Sequence, residues 1–374
     1  MRFLSTIITV VTLVMCLTGA PLLGLHLSGS SVAEYLVFPP VTTCLTTDHA
    51  PFSWVAFFFL TLLIILAITP FLLKIYLSKG INREIAAGHY KFPAWGWIGL
   101  LIMITGWILA WTRFPFFSQL QTHTFTIPWI GYIISVNALT YKRSGFSIIT
   151  NEPGYFACLF IFSALFWWYY EFLNQFVQNW YYVNVETLGQ FEFFMYATLP
   201  FSTVLPAVIS TFHLLRTFPR LFKGLDHFIS IHLPNPRLLA IFACIAAVAG
   251  LSLTSVIPDH LFPVLWLAPL VILASAMVVS GVKTVFHGLS GGDWSTVYLL
   301  ALSALLCGFL WEMWNYFSLT RWEYAVPFVG RFKIFEMPIL GYAGYLPFGL
   351  QCGLMAWLVR HILNKFSGEV PPVN

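Results

Sequence analysis

Charged residues are scarce in this chain. Asp, Glu, Lys and Arg make up only 9% of its 374 residues, whereas a soluble domain carries roughly 25%. Hydrophobic residues account for 59%, so too few polar side chains are present to cover a water-exposed surface. The net charge of +4 comes from so few residues that it informs membrane topology and does not indicate a nucleic-acid partner. This composition excludes an ordinary soluble domain.

The sequence also lacks the motifs of common metal, disulfide and nucleotide sites. Its 6 cysteines include no CxxC pair, and most lie in apolar runs, where cysteine behaves as a small hydrophobe. The glycine-rich stretch at 288–293 lacks the GK[ST] ending of a P-loop, and neither GxSxG nor HExxH occurs. We therefore expect no metal and no cofactor. The period-2 alternation of a transmembrane β-barrel is missing as well.

Long apolar runs are what the sequence does contain. An α-helix needs about 20 such residues to cross the hydrocarbon core, and ten segments approach that length: 3–25, 53–77, 94–112, 124–140, 154–176, 193–215, 237–257, 262–284, 294–316 and 337–362. They predict an all-α fold, a polytopic transmembrane helical bundle. The first segment follows Arg2 as a signal peptide would, but Ala20 precedes Pro21, a poor cleavage position. We expect an uncleaved helix.

Positively charged residues predict the orientation of this bundle. With the N-terminus in the cytoplasm, 14 of the 18 Lys and Arg residues fall on the cytoplasmic side, as the positive-inside rule requires. The other four are Arg113, Arg321, Arg331 and Lys333. Both termini are therefore predicted to be cytoplasmic, in a bacterial inner membrane.

An internal repeat is the next feature. Residues roughly 140 positions apart match in the same order along the chain: Ser163-Ala164-Leu165 with Ser303-Ala304-Leu305, Glu171 and Asn174 with Glu312 and Asn315, Trp180 and Tyr182 with Trp322 and Tyr324, and Phe191-Glu192 with Phe335-Glu336. The matches predict two N-terminal helices (1–93), a four-helix repeat (94–215), a basic cytoplasmic linker (216–236) and a second four-helix repeat with a short tail (237–374). An even number of spans makes this a parallel duplication.

Acidic residues recur at equivalent places in the two repeats. The i, i+3 spacing puts Glu171 beside Asn174, and Glu312 beside Asn315, on one helix face. Glu192 and Glu336 begin the following spans. Because ionisable groups within spans face the protein interior and often mark function, we expect these four glutamates and two asparagines to form a catalytic cluster near the outer face.

Proton transfer is the chemistry that such a cluster offers. Desolvated carboxyls that lie close together favour their neutral form and can serve as general acids. Trp168, Trp311 and Trp314 are candidates to form a substrate pocket, and Arg321, Arg331 and Lys333 to hold a lipid phosphate. The structural alternative is that these cations neutralise the glutamates, that the aromatic residues mark the membrane interface, and that Glu192 and Glu336 favour helix N-termini.

The duplicated acids resemble the tandem lycopene cyclase domain of the heterodimeric and fused membrane type. Trp311-Glu312 and Phe335-Glu336-Met337-Pro338 carry the resemblance, over about 60 residues in each repeat. That family has a Pro-x-Glu-Glu pattern, whereas this chain has one glutamate, followed by the proline. The resemblance implies an isoprenoid substrate, with Glu336 and Glu192 protonating a polyene.

Three functions fit these features. The first is an intramembrane enzyme acting on a lipid or isoprenoid, and the second is a carrier coupled to protons or cations. The third is a non-catalytic scaffold or lipid-binding protein. The expected partners are membrane lipids and a hydrophobic small molecule, without nucleic acid. The sequence defines neither the substrate nor the oligomeric state.

Overall fold

The computed structural model describes residues 2–40, 42–43, 48–78, 90–186 and 188–367. The longer helices are α1 (Arg2–Leu27), α2 (Trp54–Leu77), α3 (Ala94–Trp111), α4 (Thr126–Ser144), α6 (Pro153–Val177), α7 (Gln190–Ser202), α8 (Val204–Arg216), α9 (Pro236–Thr254), α11 (Val264–Val279), α12 (Ser295–Tyr316) and α13 (Tyr345–Ser367). Two short helices, α5 (Ile148–Asn151) and α10 (Pro258–Leu261), lie between them. Each of the ten predicted segments coincides with a helix or with the consecutive pair α7 and α8. Lys79 and Arg83, two of the cations predicted to be cytoplasmic, lie outside the described residues.

Seven helical segments in the described chain are long and apolar enough to cross a membrane. They comprise α2, α3, α6, the α7–α8 pair, α9, α12 and α13 with the turn before it. This confirms the helical membrane class. The described part of α1 and the helix α11 are apolar but shorter, and α4 falls outside both groups. No residue of α2 is buried, so this helix presents apolar side chains all around.

Two of the predicted spans are interrupted. The predicted span 193–215 divides at Thr203 into α7 and α8, because Pro206 has no N–H to donate to the carbonyl four residues earlier. The predicted span 337–362 starts later than expected. Met337 and Pro338 pair with Lys333 and Ile334 in a short antiparallel ladder, and a 3₁₀ turn then leads into α13 at Tyr345.

Helix packing follows the same order in the two halves of the bundle. In the first half α3 packs on α4, α4 on α8 and α6 on α8. In the second half α9 packs on α11, α11 on α13 and α12 on α13. The halves meet where α8 contacts α12 and α6 contacts α13. A duplicated four-helix unit with a twofold relation would give this order of contacts.

A two-stranded ribbon joins the two halves at one end of the bundle. β1 (Trp180–Val183) follows α6 and pairs antiparallel with β2 (Arg321–Tyr324), which follows α12. Trp180 lies opposite Tyr324, and Tyr182 lies opposite Trp322. In the sequence Trp180 matches Trp322 and Tyr182 matches Tyr324, so the ribbon pairs each tryptophan of one strand with the tyrosine of the other. We call this end of the bundle the ribbon end; the predicted topology places it outside the cell.

Glycines let two of these helices approach closely. A methyl group added at Gly131 of α4 would lie 2.2 Å from the main-chain nitrogen of Met103 in α3. That atom belongs to a helix backbone and cannot move aside alone. By contrast, a methyl group added at Gly19 of α1 would meet nothing within 4 Å. Close helix contacts through small residues are a usual source of stability in membrane bundles.

We expect Gly131→Ala to lower the thermal unfolding midpoint of the detergent-solubilised protein. Overpacking costs on the order of 1–3 kcal/mol, which outweighs the gain of about 1 kcal/mol in helix propensity from Gly to Ala. Gly19→Ala is the matched control and should leave the midpoint unchanged or raise it. Equal midpoints for the two variants would contradict the close approach of α3 and α4.

Candidate functional site

Both Glu-x-x-Asn pairs lie in the last turns of their helices, below the ribbon. Glu171 and Asn174 belong to α6, and Glu312 and Asn315 to α12. All four side chains are buried, and their exposed fractions are 1% or less. The structure therefore brings the two predicted pairs to the same end of the bundle as fully enclosed polar groups.

The two asparagines hold the start of the ribbon in the same way. Asn174 Nδ2 donates to the carbonyl oxygen of Trp180 at 2.7 Å, and its Oδ1 accepts from the Asn179 N–H at 2.9 Å. Asn315 Nδ2 donates to the carbonyl oxygen of Trp322 at 2.8 Å, and its Oδ1 accepts from the Trp322 N–H at 2.9 Å. These amides are positioning groups, because main-chain atoms occupy both ends of each side chain.

Glu171 is surrounded by donors. Its Oε1 accepts hydrogen bonds from Trp167 Nε1 at 2.9 Å and from the Tyr182 hydroxyl at 2.6 Å. Trp180 Nε1 lies 3.2 Å from Oε1 and 3.3 Å from Oε2. Each carboxyl oxygen of Glu171 therefore has a donor, as a buried polar group requires.

Glu312 has donors on one oxygen only. Its Oε1 accepts from the Tyr324 hydroxyl at 2.7 Å and from the Tyr345 hydroxyl at 2.8 Å. Its Oε2 is buried and has no hydrogen-bond partner in the structure. The indole that would correspond to Trp180, Trp322, donates instead to the Tyr324 hydroxyl at 2.8 Å. The two duplicated acids therefore differ at one oxygen atom.

An exchange of large and small residues accounts for part of this difference. The repeat offset puts Gly308 at the position of Trp167, and Tyr345 at the position of Phe201. In the first repeat the Trp167 indole lies against Phe201, with ring centroids 6.0 Å apart, and donates to the acid. In the second repeat, a Cβ at Gly308 would lie 2.4 Å from the Tyr345 ring. Glycine thus leaves the space through which the Tyr345 phenol reaches Glu312.

No Lys, Arg or His side chain in the described part of the chain forms an ion pair with either acid. The five ion pairs found there involve other carboxylates. Burial raises the pKa of the Tyr182 and Tyr324 phenols well above the usual range, and the neighbouring glutamates raise it further. Both phenols therefore stay protonated near neutral pH and act as donors. Hydrogen bonds from neutral groups take the place of an ion pair in this site.

An aromatic cavity lies between the two acids' donor groups, under the ribbon. Its envelope, measured out to its open mouth and including solvent space there, is about 900 Å³. Its walls are almost wholly apolar and aromatic: Phe125, Trp167, Trp180, Tyr182, Tyr196, Ala197, Pro200, Phe201, Val204, Trp266, Trp311, Thr320, Arg321, Trp322, Tyr324, Met337, Gly341, Gly344 and Tyr345. The indoles and phenols that bind Glu171 and Glu312 are thus cavity walls, with the carboxyls behind them.

Glu192 and Glu336 do not join this arrangement. Glu192 is exposed, and its carboxylate accepts from the Gly189 N–H at 3.0 Å, which caps α7. Glu336 pairs with Lys333 at 3.3 Å. Neither residue lines the cavity, so in place of four converging glutamates the structure has two buried acids, one exposed acid (Glu192) and one partly buried acid (Glu336). For Glu192 the structure agrees with the structural alternative, in which the acid stabilises a helix N-terminus.

The predicted substrate-binding residues also separate into two groups. Trp311 and Arg321 line the cavity. Trp168 donates to Thr198, and Trp314 is buried against Trp129 with ring centroids 4.8 Å apart. Arg331 lies over the Phe52 ring at 4.5 Å, and Lys333 is paired with Glu336. The structure therefore places only Trp311 and Arg321 of this set in the cavity.

The most important residues that sequence reasoning did not select are Tyr182, Tyr324 and Tyr345. The first two were visible as a matched pair in the repeat, next to the matched tryptophans. Nothing in the sequence, however, indicated that a ribbon would fold them back onto the acids. No group of three His, Cys, Asp or Glu side chains in the described parts of the chain is placed to hold a metal ion.

Comparisons with known proteins add no assignment. Searches against protein families, curated proteins and solved structures found no match to this chain.

We expect Asn315→Leu to loosen the ribbon while leaving the helices folded. The substitution removes two hydrogen bonds, each worth about 0.5–1.5 kcal/mol, so the Trp322 amide should exchange with deuterium roughly tenfold faster or more. Hydrogen-exchange mass spectrometry of the peptide containing β2 measures this. Gln175→Leu, on α6 outside the clamp, is the control and should leave that exchange unchanged. Unaltered exchange in Asn315→Leu would show that the amide does not hold β2.

Proposed function

We propose that this integral membrane protein binds a hydrophobic molecule of lipid or isoprenoid type in the aromatic cavity and transfers a proton to it. One observation carries the proposal: the indoles and phenols that bind the two buried acids also form the cavity walls. A ligand in the cavity would then touch groups that are hydrogen-bonded directly to Glu171 and Glu312. The packing order, the ribbon register and the two asparagine clamps support the proposed parallel duplication of this scaffold.

Glu312 is the proton donor in this proposal, and Glu171 has a positioning role. Every oxygen of Glu171 already accepts from an indole or phenol, whereas Glu312 Oε2 has no partner and is free to carry a proton. Rotation of the carboxyl group brings that proton to the oxygen that faces the Tyr345 hydroxyl, 2.8 Å away in the structure. Tyr345 then gives its own hydroxyl proton to a carbon–carbon double bond of the ligand and takes the proton of Glu312 in return. The carboxylate left on Glu312 then accepts hydrogen bonds from Tyr324 and Tyr345, which stabilise its charge.

The aromatic walls suit the other product of that step. Protonation of a double bond leaves a carbocation, and the faces of Trp and Tyr rings attract a cation, by about 2 kcal/mol or more when it is desolvated. Loss of a proton from the neighbouring carbon through the same relay returns Glu312 to its acid form. The ligand is thereby isomerised or cyclised without an oxidant or reductant.

The polyene chemistry implied by the lycopene cyclase resemblance stays within this proposal, but the acids change. Glu336 and Glu192, which the resemblance would make the proton donors, lie outside the cavity. The role therefore passes to Glu312. The predicted orientation, in which the ribbon end faces outward from a bacterial inner membrane, also remains part of the proposal.

Deuterium labelling tests the reaction even while the substrate is unidentified. Membranes of cells that produce the protein are incubated in D₂O, and the extracted lipids are returned to H₂O and analysed by mass spectrometry. Deuterium on carbon survives this return, whereas deuterium on oxygen or nitrogen does not. We expect carbon-bound deuterium in an isoprenoid or other unsaturated lipid with the wild-type chain, and its loss to background with Glu312→Gln, which keeps the side-chain shape.

Glu192→Gln is the matched control, because Glu192 lies on the surface and only caps α7. It should retain the labelling. Labelling that persists in Glu312→Gln, or that is absent from the wild-type chain, would refute proton transfer to carbon.

A proton-coupled carrier is the second candidate, favoured by a set of buried polar contacts below the cavity. The Tyr132 hydroxyl lies 2.8 Å from Thr211 Oγ1, which lies 3.4 Å from Cys307 Sγ. Asn137 Nδ2 donates to Ser210 Oγ at 2.7 Å. These contacts link α4, α8 and α12 on the side of the bundle away from the ribbon.

Proton flux distinguishes the two candidates. The protein is reconstituted into vesicles that contain a pH-sensitive dye, and an inward proton gradient is applied. If the protein is an enzyme, we expect the wild-type chain and Glu312→Gln to give the same slow leak, because proton transfer to a bound ligand needs no proton path across the membrane. A wild-type flux several times that of Glu312→Gln would favour the carrier. Protein-free vesicles give the baseline leak.

A further inference from the structure

Arg321 is the one charged residue among the cavity walls described above. It begins β2, and its Nη2 donates to Glu323 Oε1 at 2.8 Å. The other oxygen of Glu323 accepts from the Tyr181 hydroxyl at 2.9 Å. In the described structure, Nη1 and Nε of Arg321 have no protein acceptor, so this guanidinium retains donors for another group at the ribbon end of the cavity.

A second guanidinium, that of Arg113, forms no ion pair with any carboxylate that the structure describes. Arg113 follows α3 and donates only to main-chain carbonyls: Ala110 at 3.0 Å, Thr112 at 2.9 Å and Phe317 at 2.6 Å. The Phe317 contact holds Arg113 against the end of α12, just before β2. Partial burial lowers the pKa of Arg113, and the positive charge of Arg321 lowers it further. The acceptor of Arg113, the Phe317 carbonyl, is four residues before Arg321 in the chain, and Glu323 pairs with Arg321.

The other two cations predicted at this end are already engaged elsewhere. Arg331 lies over the Phe52 ring and Lys333 pairs with Glu336; neither lines the cavity. In the first repeat the position equivalent to Arg321 is Asn179, which is buried, and residues 177–191 contain no Lys or Arg. The wall of the cavity therefore carries a positive charge on the β2 side, at Arg321, and none at the matching position on the β1 side.

We propose that Arg321 and Arg113 bind the phosphate of an amphiphile whose apolar tail occupies the aromatic cavity. The proposal rests on ligand binding in that cavity, and it narrows the substrate class to prenyl or lipid phosphates. A planar guanidinium matches phosphate oxygens through two parallel N–H donors, which an ammonium group does not. Arg321 forms part of the cavity wall itself, so a phosphate bound there continues directly into an apolar tail among Trp322, Tyr324 and Trp311.

Carboxylate headgroups fit less well than phosphate. A carboxylate would balance the one positive charge that Glu323 leaves over, but it has only two acceptor oxygens to share between Arg321 and Arg113. A phosphate monoester carries a charge near −2 at neutral pH with three acceptor oxygens, enough to accept from both guanidinium groups beside Glu323.

The test compares farnesyl phosphate with farnesol, using tryptophan fluorescence of the purified full-length protein in detergent. Five indoles line the cavity: Trp167, Trp180, Trp266, Trp311 and Trp322. Both probes should change the emission, and the phosphate should bind roughly tenfold more tightly or better, because charge-assisted hydrogen bonds are the strong ones. In Arg113→Gln/Arg321→Gln the phosphate should lose this advantage, while farnesol binds as before.

Arg331→Gln is the matched control and should keep the preference for phosphate. Arg321→Lys tests the geometry: it keeps the charge but not the paired donors, and it should retain only part of the preference. Farnesol binding by the double variant shows that the cavity remains folded.

The outcomes separate this proposal from the proposed function. Equal affinities for the two probes in the wild-type chain, or an equal loss in Arg331→Gln, would overturn the phosphate site and leave the apolar cavity standing. If neither probe binds, both proposals fall. Inorganic phosphate at millimolar concentration should not displace farnesyl phosphate; displacement would overturn the amphiphile and assign the arginines to free phosphate.

Discussion

A carboxyl group buried in an apolar helix bundle must be surrounded by hydrogen-bond donors, and the ribbon end of this protein is built around that requirement. Transfer of an unpaired charged group from water to an apolar medium is very costly. Among the residues that the structure describes, no cation pairs with Glu171 or Glu312. The donors come from the ribbon strands and from the aromatic residues next to them, so the ribbon, the asparagine clamps and the cavity walls all depend on these two acids.

The clamps and the acids act together on each strand. Asn174 and Asn315 bind the main chain where the strands begin. Tyr182 and Tyr324 of the strands donate to the two glutamates, which lie three residues before the asparagines on the helices. Each helix end is therefore hydrogen-bonded to its strand at two positions. Because the two strands also pair with each other, the ribbon connects the tyrosine donors of both acids.

Much of the fold was predictable because its signal is local. Apolar runs of membrane-spanning length identify helices without reference to their neighbours, and the repeat located the two Glu-x-x-Asn pairs before the structure did. The ribbon was not predictable. Four-residue strands have little local signal, and their pairing depends on two loops that are about 140 residues apart. Glu192 and Glu336 were assigned to the site from sequence position alone; a capping N–H and a neighbouring lysine decided their actual places.

The proposed duplication puts the two acids at equivalent positions, but their surroundings differ. Gly308 in place of Trp167, and Tyr345 in place of Phe201, change which residue donates to the acid. Arg321 in place of Asn179 adds a charge to one wall only. All three differences lie around Glu312 and β2, which is why the proposed reaction is assigned to Glu312 and not to Glu171. With a phosphate at Arg321, the first carbons of a tail would lie beside Trp322 and Tyr324. Tyr324 and Tyr345, the phenols that donate to Glu312, would then lie close to the headgroup end of the ligand. We expect the reacting double bond at that end.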